Sequence, residues 1–172
     1  LKHSSNIDYS KIGIVGYSWG GLAGAVLAGK ISNAACLISL EGSEFHHYGF
    51  AKEEDSSFNV ISNNPAFKNM RLSIPYLRLE SSPTGNDVKK DSLFNFSEKL
   101  TKEKFIFSIN SAQHEDFGCL SAVVRASGNC ASRPFAGTIP ALTISFLEDH
   151  LKQKNLFTQV AEKEKDRAIK KP

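Results

Sequence analysis

The chain has 172 residues, of which 41% are apolar and 23% are charged, and its formal net charge at pH 7 is +3. This length and composition are typical of one globular domain with its own core. Lysine and arginine are spread along the chain, which argues against a nucleic-acid-binding patch, and no run approaches the roughly 20 apolar residues of a membrane-spanning helix.

Regular secondary structure is predicted along most of the chain. Four β-branched or aromatic runs predict strands at Lys11–Gly16, Ala35–Leu40, Ile74–Leu79 and Phe105–Ile109. Helical patterns cover Gly20–Lys30, Leu93–Lys102 and Ile139–Leu151, and Thr138 is expected to cap the last of them. Because parallel strands need crossover connections, this alternation predicts an α/β fold with a mostly parallel sheet covered on both faces.

Two segments depart from this alternation. Residues 42–72 are polar and lack a clean period, so we expect an excursion or small cap between two strands. Residues 156–172 are expected to be a charged C-terminal tail. After Val160 lysine alternates with glutamate and aspartate, which predicts a solvated helix end or a disordered terminus, with a partner-binding arm as the minor alternative.

The run Gly16-Tyr17-Ser18-Trp19-Gly20-Gly21 joins the first predicted strand to the first predicted helix. In a G-x-S-x-G turn the serine hydroxyl is lifted out of the sheet toward a general base, and the two glycines leave room for the turn. The new helix directs its first amides at a developing oxyanion, with Trp19 as the expected donor. The pattern predicts Ser18 as a nucleophile; the alternative is a tight turn in which Ser18 only caps the helix.

A serine nucleophile needs a base and an acid. In proteins whose nucleophile lies on a strand-to-helix turn of this kind, the three residues occur along the chain in the order serine, acid, histidine. Of the five histidines, His114 alone follows the last predicted strand on a loop, so it is the expected general base. Glu41 ends the second strand, Asp87 follows the third, and Glu80 is a weaker third choice. Each of these carboxylates could orient the imidazole, and each could instead be a solvated charge.

The three cysteines have no metal-ligand spacing, and neither a metal nor a cofactor is expected. Cys36 lies in an apolar strand, which predicts a buried free thiol. Cys119 and Cys130 flank a glycine-containing loop, and a disulfide between them is an open alternative for an exported protein. The compartment is left open, because no signal-peptide pattern begins the chain and its natural start is expected to lie upstream.

The order GYSWGG, LISLEG, IPYLRLESS and HEDF, followed by a helix ending in SFLEDHLK, resembles the C-terminal half of α/β-hydrolases of the dienelactone hydrolase and platelet-activating-factor acetylhydrolase type. The resemblance covers nearly the whole chain and implies an α/β-hydrolase catalytic domain over residues 1–155. It maps the family's serine to Ser18 and its histidine to His114. Acetylhydrolase-like members take the acid from the strand after the elbow, which corresponds to Glu41, with Glu in place of Asp.

The resemblance also implies that earlier strands of the sheet and the loop with the second oxyanion-hole amide lie outside this chain. We therefore expect the chain to need the upstream half of its own fold. By itself it would be inactive, and poorly soluble because the elbow strand would expose its inner edge.

These features together predict a serine hydrolase that cleaves a small-molecule carboxylic ester through an acyl-enzyme. One alternative is a serine peptidase of the prolyl-oligopeptidase type, whose elbow often has an aromatic residue and a doubled glycine, as Gly20-Gly21 does. The other is a non-catalytic binding protein that kept the hydrolase fold, since fold does not determine function.

Overall fold

The computed structural model describes residues 7–44, 52–82, 96–118 and 137–171. They form an α/β fold with a five-stranded, mostly parallel sheet flanked by helices. The strands lie across the sheet in chain order: β1 (Ile12–Tyr17), β2 (Ala34–Leu40), β3 (Tyr76–Ser81), β4 (Lys104–Ile109) and β5 (Ala168–Lys170). The first four are parallel, and β5 is antiparallel to β4.

The helices are α1 (Trp19–Ala28), α2 (Lys52–Asn63), α3 (Pro65–Lys68), α4 (Phe96–Lys99), α5 (Thr138–Lys152) and α6 (Phe157–Lys163), with a 3-10 helix at His114–Phe117. All four predicted strands are present, and so are the helices predicted before β2 and at the C-terminal end. The helix predicted over Leu93–Lys102 is shorter in its described part, where only α4 is helical. The segment predicted as an excursion contains α2 and α3 between β2 and β3.

Helices cover both faces of the sheet because side chains alternate along each strand. On β2, Cys36 and Ile38 belong to the core cluster that includes residues of α5 and α6. Leu37, between them, belongs to the cluster that includes residues of α1, α2, α3 and α4. The free thiol of Cys36 is fully buried, as predicted, and burial raises its pKa to about 11.

Two predictions at the C-terminal end are wrong. Thr138 does not cap α5: it is the first residue of that helix, after Gly137, and its buried hydroxyl donates to Glu164 Oε2 at 2.7 Å. The segment after Val160 is not simply a solvated end or disordered, because residues 168–170 form strand β5. Ala168, which is 2% exposed, is the buried residue of this strand. The charged residues around it in the sequence hide the apolar pattern from which a strand could have been predicted.

In the described ranges no helix is long and apolar enough to cross a membrane. Cys119 and Cys130 lie outside those ranges, so the disulfide alternative stays open.

Candidate active site

The turn between β1 and α1 holds Ser18 in an unusual backbone conformation. Its φ is 54° and its ψ is −123°, a combination that is costly for a residue with a side chain. Its backbone N–H donates to Leu40 O at 3.0 Å, and its carbonyl oxygen accepts from Gly21 N and Ser43 N, each at 3.0 Å. The ends of two strands and the start of a helix therefore hold the strained residue in place.

The glycines around this turn differ in how much space they have. A Cβ at Gly16 would lie 2.1 Å from the carbonyl oxygen of Gly20, so only glycine fits there. A Cβ at Gly20 would meet nothing within 4 Å, whereas one at Gly21 would lie 2.5 Å from Glu44 Oε2 and 2.7 Å from Gly42 Cα. The expectation that Gly20 makes room for the turn is therefore wrong, since the crowded position is Gly21.

The side chain of Ser18 faces a histidine. Its Oγ lies 3.2 Å from His114 Nε2, and it makes no side-chain capping hydrogen bond to α1. The alternative in which Ser18 merely caps the helix predicted such a bond, so the structure contradicts it. The pair has the separation that proton transfer from a hydroxyl to an imidazole needs.

His114 begins the 3-10 helix after β4, and β1 lies three strand spacings away, about 14 Å at about 4.8 Å each. The loop must therefore fold back across the ends of β2 and β3 to bring the imidazole to Ser18. Asp116 stabilises this helix, because its buried carboxylate accepts from Gln113 N at 2.9 Å. Gln113 and Asp116 do not match the Ser/Thr-x-x-Glu/Gln signature of a capping box, so this role could not have been predicted from the sequence.

Glu41, the first-choice acid, lies at the end of β2 with only 3% of its surface exposed. Its backbone also has a positive φ, 49°, and its N–H donates to Leu79 O at 2.8 Å. The side chain crosses to the neighbouring strand: Oε1 accepts from Ser81 Oγ at 3.0 Å, and Oε2 accepts from Ser81 N. The carboxylate therefore lies at the carboxyl end of β3, between the strands that lead to Ser18 and His114.

The other two candidate acids have different outcomes. Glu80 takes part in a buried ion network: its Oε2 accepts from Arg78 Nε at 2.7 Å, and its Oε1 pairs with Lys171 Nζ. Its carboxylate is therefore held by cations of β3 and of the C-terminal end. Asp87 lies outside the described residues.

A buried arginine fixes the turn that follows β2. Arg78 Nη1 donates to Gly42 O at 2.9 Å and to Glu44 Oε1 at 3.1 Å, and Tyr76 donates to the same Glu44 oxygen at 2.7 Å. Although burial acts to lower it, the pKa of Arg78 is raised by its neighbours Tyr76, Glu44 and Glu80. Sequence reasoning missed this network. The sequence feature that could have indicated the network is Arg78, a charged residue between Leu77 and Leu79 in an otherwise apolar strand.

Trp19 lies immediately after Ser18 and is the first residue of α1, so its backbone N–H has no acceptor within the helix. Its ring stacks on Phe58 of α2, with 4.3 Å between centroids and 27° between planes. The indole remains 41% exposed, whereas Phe58 is buried. The excursion between β2 and β3 thus covers one side of the Ser18 turn, and the oxyanion role of the Trp19 amide stays a prediction.

Comparison with known proteins finds no protein-family model that matches the chain and no curated protein that matches it. Among the described residues there is no group of three His, Cys, Asp or Glu side chains that could hold a metal ion.

Proposed function

We propose that this chain carries the catalytic centre of a serine hydrolase of the α/β-hydrolase fold, which cleaves a carboxylic ester through an acyl-enzyme. The observation that carries the proposal is the 3.2 Å separation of Ser18 Oγ and His114 Nε2 at a strained strand-to-helix turn. A parallel sheet whose chain reverses in this way at the carboxyl end of a strand is the setting in which that chemistry occurs.

In the proposed reaction His114 Nε2 accepts the proton of Ser18 Oγ while that oxygen attacks the acyl carbon of the ester. The C=O electrons move to the carbonyl oxygen, which the Trp19 N–H stabilises. The C–O bond to the alcohol then breaks, and the alcohol leaves with the proton from His114. Water repeats the sequence: His114 takes its proton, hydroxide attacks the acyl carbon, and Ser18 Oγ leaves and recovers the proton.

Glu41 is the proposed acid of this triad. The His114 loop returns to Ser18 across the ends of β2 and β3, and the Glu41 carboxylate lies at that same edge, tied to Ser81. A buried carboxylate there would orient the imidazole and stabilise the imidazolium that forms during attack. The extra methylene of Glu, compared with Asp, lets the side chain of the residue that follows β2 reach Ser81 at the end of β3.

Steady-state hydrolysis by the full-length protein tests the proposal. We expect p-nitrophenyl acetate to be hydrolysed, and Ser18→Ala and His114→Ala each to lower kcat by about 10³-fold or more. Ser62→Ala, at an exposed hydroxyl of α2 that donates to Asn59 O, is the matched control and should keep the wild-type rate. Hydrolysis that survives both site substitutions would overturn the proposal. Faster cleavage of a prolyl-peptide amide than of the ester would favour the peptidase alternative.

A further inference from the structure

The residue before the candidate nucleophile touches the candidate base. Tyr17 ends β1, and its ring centroid lies 4.9 Å from that of the His114 imidazole, with 34° between the ring planes. The tyrosine ring packs against the core cluster that includes residues of α5 and α6, and this packing holds the ring in place. The imidazole therefore rests on an aromatic ring that belongs to the same strand as the serine.

The same ring is contacted a second time, just beyond the 3-10 helix. A Cβ at Gly118 would lie 2.8 Å from Tyr17 Cε1 and 3.1 Å from Cζ, so the backbone at this position touches the ring and leaves no room for a side chain. The φ of Gly118 is −107°, which any residue can adopt, so the need for glycine here is steric. His114 and Gly118 thus bracket the 3-10 helix, and both rest against Tyr17.

The backbone cap by Asp116 determines where the 3-10 helix begins, but it does not determine the rotation of the imidazole about its own side-chain bonds. A general base has to present one ring nitrogen to the hydroxyl within hydrogen-bond reach. Packing of the imidazole against a rigid aromatic ring restricts that rotation, and tilted ring pairs at this separation are attractive.

We propose that Tyr17 is a positioning residue for His114: its ring, with Gly118 packed against it, sets the plane of the imidazole so that Nε2 faces Ser18 Oγ. This inference rests on the proposed function, because it concerns how the base is aimed. In this proposal the end of β1 positions both Ser18 and His114, because Ser18 follows that strand directly and His114 packs against its last residue, Tyr17.

The test measures kcat and KM for p-nitrophenyl acetate with the full-length protein, with active sites counted by fluorophosphonate titration. Tyr17→Ala should lower kcat per active site by about 10 to 100-fold and change KM by less than about threefold, because misaiming a base affects the reacting step. Tyr17→Phe keeps the ring and should stay within about threefold of wild type. Tyr9→Ala, at a tyrosine that is 59% exposed, is the matched control.

A double-mutant cycle with Gly118→Ala separates aiming from folding. The added methyl should push on the Tyr17 ring and lower kcat about 10-fold in the wild-type background, but less than about twofold when Tyr17 is already alanine. Independent effects of the two substitutions, or an unchanged kcat per active site in Tyr17→Ala, would overturn the inference. Ser18→Ala distinguishes the two levels: if it leaves hydrolysis intact, the proposed function fails; if it abolishes hydrolysis while Tyr17→Ala is normal, only the positioning role fails.

Discussion

The carboxylate of Glu41, which follows β2, is held by the backbone N–H and hydroxyl of Ser81 at the end of β3. The link joins two neighbouring strands at the edge of the sheet where Ser18 and His114 meet. In the proposed triad, this link would let the Glu41 side chain cover one of the strand spacings between β2 and the loop after β4 that carries His114.

Glu41→Gln tests this role. The amide keeps the shape of the side chain but cannot carry the negative charge that stabilises an imidazolium, so kcat should fall by about 10²- to 10⁴-fold. Its NH2 group cannot accept one of the two hydrogen bonds from Ser81, so the free energy of unfolding should also fall, by about 1 to 3 kcal/mol. Glu41→Asp should also lose activity, since the shorter side chain no longer reaches Ser81. The measurement is kcat for p-nitrophenyl acetate, with Glu98→Gln, at an exposed residue of α4, as the control. A wild-type rate in Glu41→Gln would remove Glu41 from the triad and leave Asp87 as the next acid to substitute.

Gly20 and Gly21, which follow Trp19 in the first turn of α1, should respond in opposite ways to a methyl group. Gly21→Ala pushes a Cβ against Glu44 and the Gly42 backbone, and we expect a loss of about 1 to 3 kcal/mol in the free energy of unfolding. Gly20→Ala meets open space and should be neutral or gain up to about 1 kcal/mol from helix propensity. Urea denaturation measures both, and equal losses would contradict the assigned difference in crowding.

Arg78 should be among the most sensitive positions for stability. Arg78→Met removes the cation from a buried network and leaves the carboxylates of Glu44 and Glu80 without it, which costs about 3 to 5 kcal/mol in comparable buried pairs. Arg167→Met is the matched control, because that side chain is 72% exposed and its pair with Glu164 should contribute less than about 1 kcal/mol. Similar midpoints of urea denaturation for the two variants would argue against the network.

Because Cys36 is buried as a neutral thiol, we expect the free energy of unfolding to fall at alkaline pH. The pKa of Cys36 rises from 9.0 to about 11 on burial, so well below pH 9 the thiol is neutral in both states and its titration does not change stability. Between pH 9 and 11 the unfolded chain gains a thiolate that the folded one resists, and stability falls, by about 2 kcal/mol at pH 10.5. The difference in unfolding free energy between wild type and Cys36→Ala should therefore shrink by that amount from pH 8.5 to 10.5. A constant difference would mean that the thiol does not titrate differently on folding.

What could be predicted from the sequence depended on local signals. The parallel strands carry apolar runs, and the G-x-S-x-G turn has fixed spacing, so Ser18 and the loop position of His114 followed from pattern alone. The Glu41 link to Ser81 and the contact of Tyr17 with His114 could not be predicted, because they join strand ends that are far apart in sequence. Strand β5 was missed because lysines and glutamates surround its one buried residue, Ala168, and edge pairing with β4 outweighs that composition.

Identifying the residue that a fluorophosphonate probe modifies in the full-length protein tests directly whether Ser18 is the nucleophile. The proposed mechanism predicts one adduct per chain, located by peptide mass spectrometry on Ser18, and no labelling of Ser18→Ala. Labelling should slow strongly in His114→Ala, because the base that activates the hydroxyl is gone. Labelling that persists in Ser18→Ala, or an adduct mapped to another residue, would contradict it.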